Sequence, residues 1–295
     1  MKHEYLQPEA LARLGNLELA ARLVVEGHMA GMHRSPYQGF NVEFSEHRQY
    51  MPGDDIRNID WRVYAKSDRY YVKKFEEDTN LKGYLAVDAS RSMTFQGGSS
   101  PMSKLDYACC LAASLTHMML RQRDSAGLAV FDGRLQTYIP PRGDALHLKA
   151  IVSALESIEP GADTGVGRSL SELSRRLVRR GLIILLSDLL EEQETALKAL
   201  RLLRRQKHEV IVFHILDSDE MTLPYNEPLV FKDLETGDEL PAHGTRLRAA
   251  YQEAAERFIG AYRSGCGAHA IDYVLMNTQT PFDVALSAYL SRRRR

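Results

Sequence analysis

Residues 84–93 read Tyr-Leu-Ala-Val-Asp-Ala-Ser-Arg-Ser-Met, a short apolar run that stops on Asp88. A run of this kind, placed before a helical stretch, reads as a buried parallel strand at its carboxyl end. Open α/β sheets form their ligand sites there, outside the carboxyl ends of the strands. Asp88, Ser90 and Ser92 stand in D-x-S-x-S spacing and offer only oxygen ligands. Hard divalent cations such as magnesium or manganese prefer that set.

One loop does not satisfy near-octahedral coordination. Two further candidates fall at matching topological places. Asp188 follows the apolar run Leu182 to Leu186, in the pair Ser187-Asp188, and Thr164 lies in the glycine-rich loop GADTGVGRSL (161–170) before a helix. Three loops are expected to converge on one ion, with Asp88 and Asp188 at the same sheet edge. Asp and Ser after a strand also serve as helix caps and turn formers. That plainer role competes for Asp88 alone; five such residues in this order favour the metal.

Working outward, apolar spacing predicts helices over 104–121, 145–158, 168–178, 191–205 and 245–263, with Pro281 opening a last one. Strands are expected at 127–131, 182–186, 210–216 and 268–275, and 135–139 as a hairpin partner. Strands alternating with helices of this length imply a mostly parallel sheet of about six strands, covered on both faces. A hairpin insertion turning at Glu235-Thr236-Gly237 is expected near 218–244. Before it all, 1–79 reads as a small appendage: one helix from Pro8 to about Met29, then extended segments at 42–50 and 69–75. The domain proper is 80–295.

Composition excludes little. The chain has 295 residues and a formal net charge of -1, so nothing draws it toward nucleic acid. Three cysteines, Cys109, Cys110 and Cys266, form no zinc spacing and no disulfide framework, which suggests a reducing compartment. No apolar run is long enough to span a bilayer. These features give the expectation of a cytosolic location. His28, His33 and His47 fit no helical metal pair, and Cys109 and Cys110 sit in an apolar helical run as small buried hydrophobes.

DASRS (88–92), Thr164 and Ser187-Asp188 resemble the metal-ion-dependent adhesion site of von Willebrand factor A domains. The resemblance implies that Asp88, Ser90, Ser92, Thr164 and Asp188 surround one Mg2+ or Mn2+, some of them through water. It also implies that an acidic side chain of a partner fills the sixth position. The loop around Thr164 reads GADT where many members read GGT. The stretch from Gly31 to Asp78, with its core GDDIRNIDW (53–61), and the following DASRSM resemble a bacterial family catalogued as domain of unknown function 58. That resemblance implies a von Willebrand factor A-like domain and, from gene neighbourhood, a MoxR-type AAA+ ATPase as partner. Within the polar stretch, Asp54, Asp55, Arg57, Asp60, Trp61 and Arg62 form either a partner surface or a latch in which the arginines pair with the carboxylates.

Three functions follow as expectations: a non-catalytic metal-dependent interaction module, a magnesium-dependent phosphatase of haloacid-dehalogenase type, and a structural module with a vestigial metal loop. The phosphatase needs a general acid two residues after its nucleophile, and that position holds Ser90. No phosphate-binding G-K-[ST] loop, G-x-S-x-G elbow or H-E-x-x-H helix is present. The first reading, not an enzyme, is therefore preferred.

Overall fold

The apolar runs become the central strands of a six-stranded sheet in the computed structural model, which describes residues 7–12, 14, 16–32, 47–49, 64, 70–73, 81–144, 146–161, 165–177, 179–232 and 239–293. Two units are present, one of Met1–Met32 with Leu81–Arg295 and one of His33–Asn80. In the smaller unit, β1 (His47–Gln49) pairs antiparallel with β2 (Tyr71–Lys73), and the rings of Tyr64 and Tyr70 stack 4.5 Å apart. His33 and the stretch carrying Asp54, Asp55, Arg57, Asp60, Trp61 and Arg62 lie outside the described residues.

The large unit contains α1 (Pro8–Leu11) and α2 (Leu17–Met32), then β3 (Lys82–Asp88), α3 (Lys104–Arg121), β4 (Ser125–Phe131) and β5 (Leu135–Arg142). There follow α4 (His147–Glu156), α5 (Val166–Arg176), β6 (Leu182–Ser187), α6 (Gln193–Arg205), β7 (Glu209–Leu216) and α7 (Ser218–Thr222). The hairpin of β8 (Pro228–Lys232) and β9 (Glu239–His243) comes next, then α8 (Gly244–Gly267), β10 (Asp272–Asn277) and α9 (Phe282–Arg293).

The helical period expected from Pro8 to Met29 is broken in two. Asn16 accepts the Leu19 N–H at 2.8 Å and so caps a new helix. Ala20, Ala21, Val24 and Val25 of α2 are buried in the same core as α3, so this helix belongs to the large unit, whereas the sequence reading groups it with 33–79. At the far end, α8 runs on to Gly267 and β10 starts at Asp272, four residues later than the expected strand.

Strand order is β10-β7-β6-β3-β4-β5, parallel throughout except for β5, which pairs antiparallel with β4. Pro140 and Pro141, which have no N–H to give a ladder, fall on the edge strand β5. Side chains alternate across the sheet. Leu85, Val87, Ile184, Leu186 and Phe213 face a layer of α2, α3, α4 and α9. Tyr84, Ala86, Ile183, Leu185 and Val212 face α5, α6 and α8. The chain leaves β3 toward β4 and later returns to its other side as β6. The point where the order reverses, between β3 and β6, is where such sheets open a crevice at their carboxyl ends.

Leu185 is fully buried on β6, which has a strand on either side. Leu185→Ala is expected to lower the unfolding free energy by about 2–5 kcal/mol. Urea denaturation followed by circular dichroism measures this, and a loss below about 1 kcal/mol would contradict a two-face core at this strand.

Candidate functional site

Asp88 is the last residue of β3 and Ser187 the last of β6, and Val87 lies in register with Leu186. The two strands therefore deliver Asp88 and Asp188 side by side at the crevice. Neither carboxylate reaches solvent, with relative exposures of 1% and 0%. The Ser187 hydroxyl donates to Asp88 Oδ2 at 2.6 Å, and the Ser90 N–H donates to Oδ1 at 2.9 Å. Both serine hydroxyls of the D-x-S-x-S loop point the same way, with Ser90 Oγ and Ser92 Oγ 3.1 Å apart. A short 3-10 turn, Arg91–Thr94, follows and turns the chain toward α3.

The third loop comes to the same place. Gly161 bridges Ser90 as a parallel β-bridge, and its N–H donates to the Ala89 carbonyl at 2.9 Å. A Cβ on Gly161 would lie 2.0 Å from Asp132 Oδ2, so the close approach needs glycine here. Beyond the loop, the Gly167 N–H donates to Glu191 Oε2 at 2.8 Å and so ties the start of α5 to the turn after Asp188. Thr164 lies between these anchors but outside the described residues.

The turn carrying Asp188 is fixed from behind. Its carbonyl lies 2.8 Å from His214 Nε2 on β7, and His214 Nδ1 lies 2.6 Å from the Tyr273 hydroxyl on β10. A carbonyl only accepts, so Nε2 carries the proton and Tyr273 donates to Nδ1. Burial pushes His214 down to about 4, which keeps this neutral form at ordinary pH. Tyr262 of α8 donates to the Leu189 carbonyl at 3.1 Å, and Leu189 itself holds a left-handed φ of 56°. Three elements thus clamp one strained turn.

Sequence reasoning missed the cation at this site. Lys104, the first residue of α3, is fully buried, and its ammonium donates to Asp188 Oδ2 at 2.8 Å and to Glu220 Oε1 at 2.6 Å. Burial alone would lower the Lys104 pKa, but Asp188 and Glu220 more than offset it and raise it. The spacing of 84 residues to Asp188 and 116 to Glu220 gives no local signal. A lysine in the first turn of a helix, at the end where the dipole disfavours a cation, was the local hint. Asp217 and Asp219 were missed as well. Their carboxylates accept the N–H groups of Gly97 and Gly98, and Asp219 also accepts from Ser99 Oγ and the Tyr225 hydroxyl. They hold the loop between the 3-10 turn and α3 against the end of β7.

The set fits a hard divalent cation in its chemistry. Among the described residues no group of three or more His, Cys, Asp or Glu side chains is arranged to hold a metal, so an ion here would have to take part of its shell from hydroxyls. Asp88, Ser90 and Ser92 are such a set, and Asp188 brings a second carboxylate whose Oδ2 is engaged by Lys104. Burial, with the like charge of Asp188 adding to it, pushes Asp88 up to about 7 against the hydrogen bonds from Ser187 and Ser90. A cation beside these carboxylates would relieve that repulsion. Cys109 and Cys110 are buried on α3 as expected, and burial pushes both thiols up to about 12. His28 is buried too, with Nε2 unpartnered among the described residues, and burial lowers its pKa.

The raised Asp88 gives a pH dependence with a definite sign. Its folded pKa lies above the unfolded value, so the native state binds the extra proton. The contribution of this group to stability is fully present below pH 3.8 and is lost as pH rises through about 7. In a metal chelator, thermal melts of the wild type are expected to lose stability across that window more steeply than those of Asp88→Asn. Parallel profiles for the two proteins would contradict the assignment.

Residues 46–258 match the family described as "Protein of unknown function DUF58". The uncharacterized protein Rv1480 of Mycobacterium tuberculosis is 28% identical over 299 residues, covering 98% of this chain and 91% of its own. Among solved structures, an aerotolerance-related membrane protein of Bacteroides fragilis superposes with a TM-score of 0.50 at 20% identity, over 72% of this chain and 97% of that one. The SpRpn10 VWA domain superposes with a TM-score of 0.39 at 11% identity, over 70% and 93%. The expected cytosolic location is overturned here, since the Bacteroides fragilis structure is that of a membrane protein. Unpaired cysteines and short apolar runs are equally compatible with a domain that works at a membrane. No helix among the described residues is long and apolar enough to cross one. The crevice between β3 and β6, its D-x-S-x-S loop and the match over 46–258 lead to one assignment: the chain belongs to the DUF58 family and has a von Willebrand factor A-like fold.

Proposed function

We propose that this protein is a non-catalytic interaction module that binds a partner through a divalent metal at the β3–β6 crevice. The observation that carries this reading is the pair of buried carboxylates, Asp88 and Asp188, delivered to one edge beside the Ser90 and Ser92 hydroxyls. Asp88, Ser90, Ser92 and Asp188, with Thr164 from the third loop, would hold Mg2+ or Mn2+, which supplies a Lewis-acidic position open to an incoming oxygen. An acidic side chain of another protein suits that position, because it adds a charge-assisted contact where a water would otherwise remain. The family resemblance makes a MoxR-type AAA+ ATPase the partner to try first.

A non-catalytic role is supported by what stands two residues after Asp88. Ser90 occupies the place where a haloacid-dehalogenase-type phosphatase would carry its general acid, and a serine hydroxyl does not give up its proton at neutral pH.

Titration calorimetry with Mg2+ and Mn2+ tests the metal. Asp88→Ala is expected to abolish binding and to keep the far-ultraviolet circular dichroism of the fold; equal affinity in Asp88→Ala and wild type would reject the site. For the docking role, partners captured on the immobilised protein are washed with a chelator. Release from wild type and failure of Asp88→Ala to capture them are expected. Partners that stay through the wash and bind the variant equally well would place docking elsewhere.

A further inference from the structure

We propose that Lys104 is a tethered cation that competes with the divalent ion for Asp188, and that Glu220 is the acceptor that keeps its ammonium when the ion binds. The inference rests on the metal reading above and adds the residues that tune it.

Lys104 is the first residue of α3, where the positive end of the helix dipole disfavours a cation. Its side chain has no exposed surface, so it also loses all hydration. Two carboxylates hold it there, Asp188 Oδ2 at 2.8 Å and Glu220 Oε1 at 2.6 Å. They differ in kind. Asp188 is completely buried at the crevice, and its other oxygen, Oδ1, accepts the Leu190 N–H at 3.3 Å. Oδ2 is the oxygen Lys104 covers, so an ion that draws on Oδ2 meets the ammonium there. Glu220 lies on α7, with its side chain 19% exposed, and is fixed independently of Lys104. It closes a capping box, in which Asp217 N–H donates to Glu220 Oε2 at 2.9 Å. Glu220 Oε1 therefore remains in place whether or not Asp188 is shared.

The charges agree with an exchange. Asp88, Asp188 and Glu220 give three negative charges when ionised and Lys104 one positive, which leaves −2 for a divalent cation to neutralise. A lysine suits the part better than an arginine. Its ammonium is a compact point charge on a flexible stem, and it can drop one of two acceptors without losing a planar bidentate geometry. Held on both acids, Lys104 supplies Asp188 with a counter-charge, which lets the buried pair fold before any ion arrives.

The test is Mn2+ titration calorimetry on the full chain, for wild type, Lys104→Met, Glu220→Gln and the double variant. Removing one nearby positive charge is expected to tighten Mn2+ binding on the order of tenfold in Lys104→Met. Glu220→Gln is expected to weaken it, because the ammonium then has Asp188 alone. That weakening should shrink in the Lys104→Met background, where nothing remains to be accepted. Lys104→Met binding no tighter than wild type would overturn the proposal. So would an equal effect of Glu220→Gln in both backgrounds, which marks plain long-range attraction. Should Lys104→Met fail to fold, Lys104→Gln takes its place in the same four-variant comparison, with the same outcomes. If wild type and Asp88→Ala take up Mn2+ equally, the metal reading falls and this inference with it. If wild type binds through Asp88 while Lys104→Met does not tighten, only the exchange falls.

Discussion

Helices cover both faces of the central sheet, and almost everything else follows from that constraint. A strand buried on both faces has no solvent side on which to place polar residues. In β3 and β6, the residues from Gly83 to Val87 and from Leu182 to Leu186 are all buried and contain no ionisable side chain except Tyr84. The first residues able to carry charge therefore appear where the strands leave the sheet. Parallel pairing brings those exits to the same edge, so Asp88, Ser187 and Asp188 meet through topology rather than through any local attraction.

Such a meeting is unfavourable by itself. Two carboxylates removed from water repel and lose hydration, and the structure compensates in layers. Hydrogen bonds from Ser187 and Ser90 satisfy Asp88. Lys104 supplies a counter-charge to Asp188. The backbone beneath Asp188 is held by His214 and Tyr262, whose rings pack edge-on 5.8 Å apart. This costly and heavily supported edge is the physical ground of the proposed metal site.

The same edge extends through α7. Asp217 and Asp219 draw the loop of Gly97, Gly98 and Ser99 against the end of β7, while Glu220 of the same short helix reaches Lys104. Residues from the ends of β3, β6 and β7 and from the start of α3 are thereby joined in one polar network under a small surface. A ligand at Asp188 and a contact on α7 would act on the same lysine.

The sequence by itself determined the alternation of strands and helices, the two-face burial of the sheet and the placement of Asp88 and Asp188 at strand ends. Those features are local: apolar runs, helical period and residue type at a run's end are read within a dozen residues. The D-x-S-x-S spacing was legible for the same reason. Only the tertiary structure decided that α2 joins the large unit, where Ala21, Val24 and Val25 meet α3, because an amphipathic helix does not specify which surface it covers. Only the tertiary structure showed Lys104 between Asp188 and Glu220, and His214 beneath the turn. Charge pairing across 84 and 116 residues depends on where strands and helices end in space, and no period in the chain encodes that.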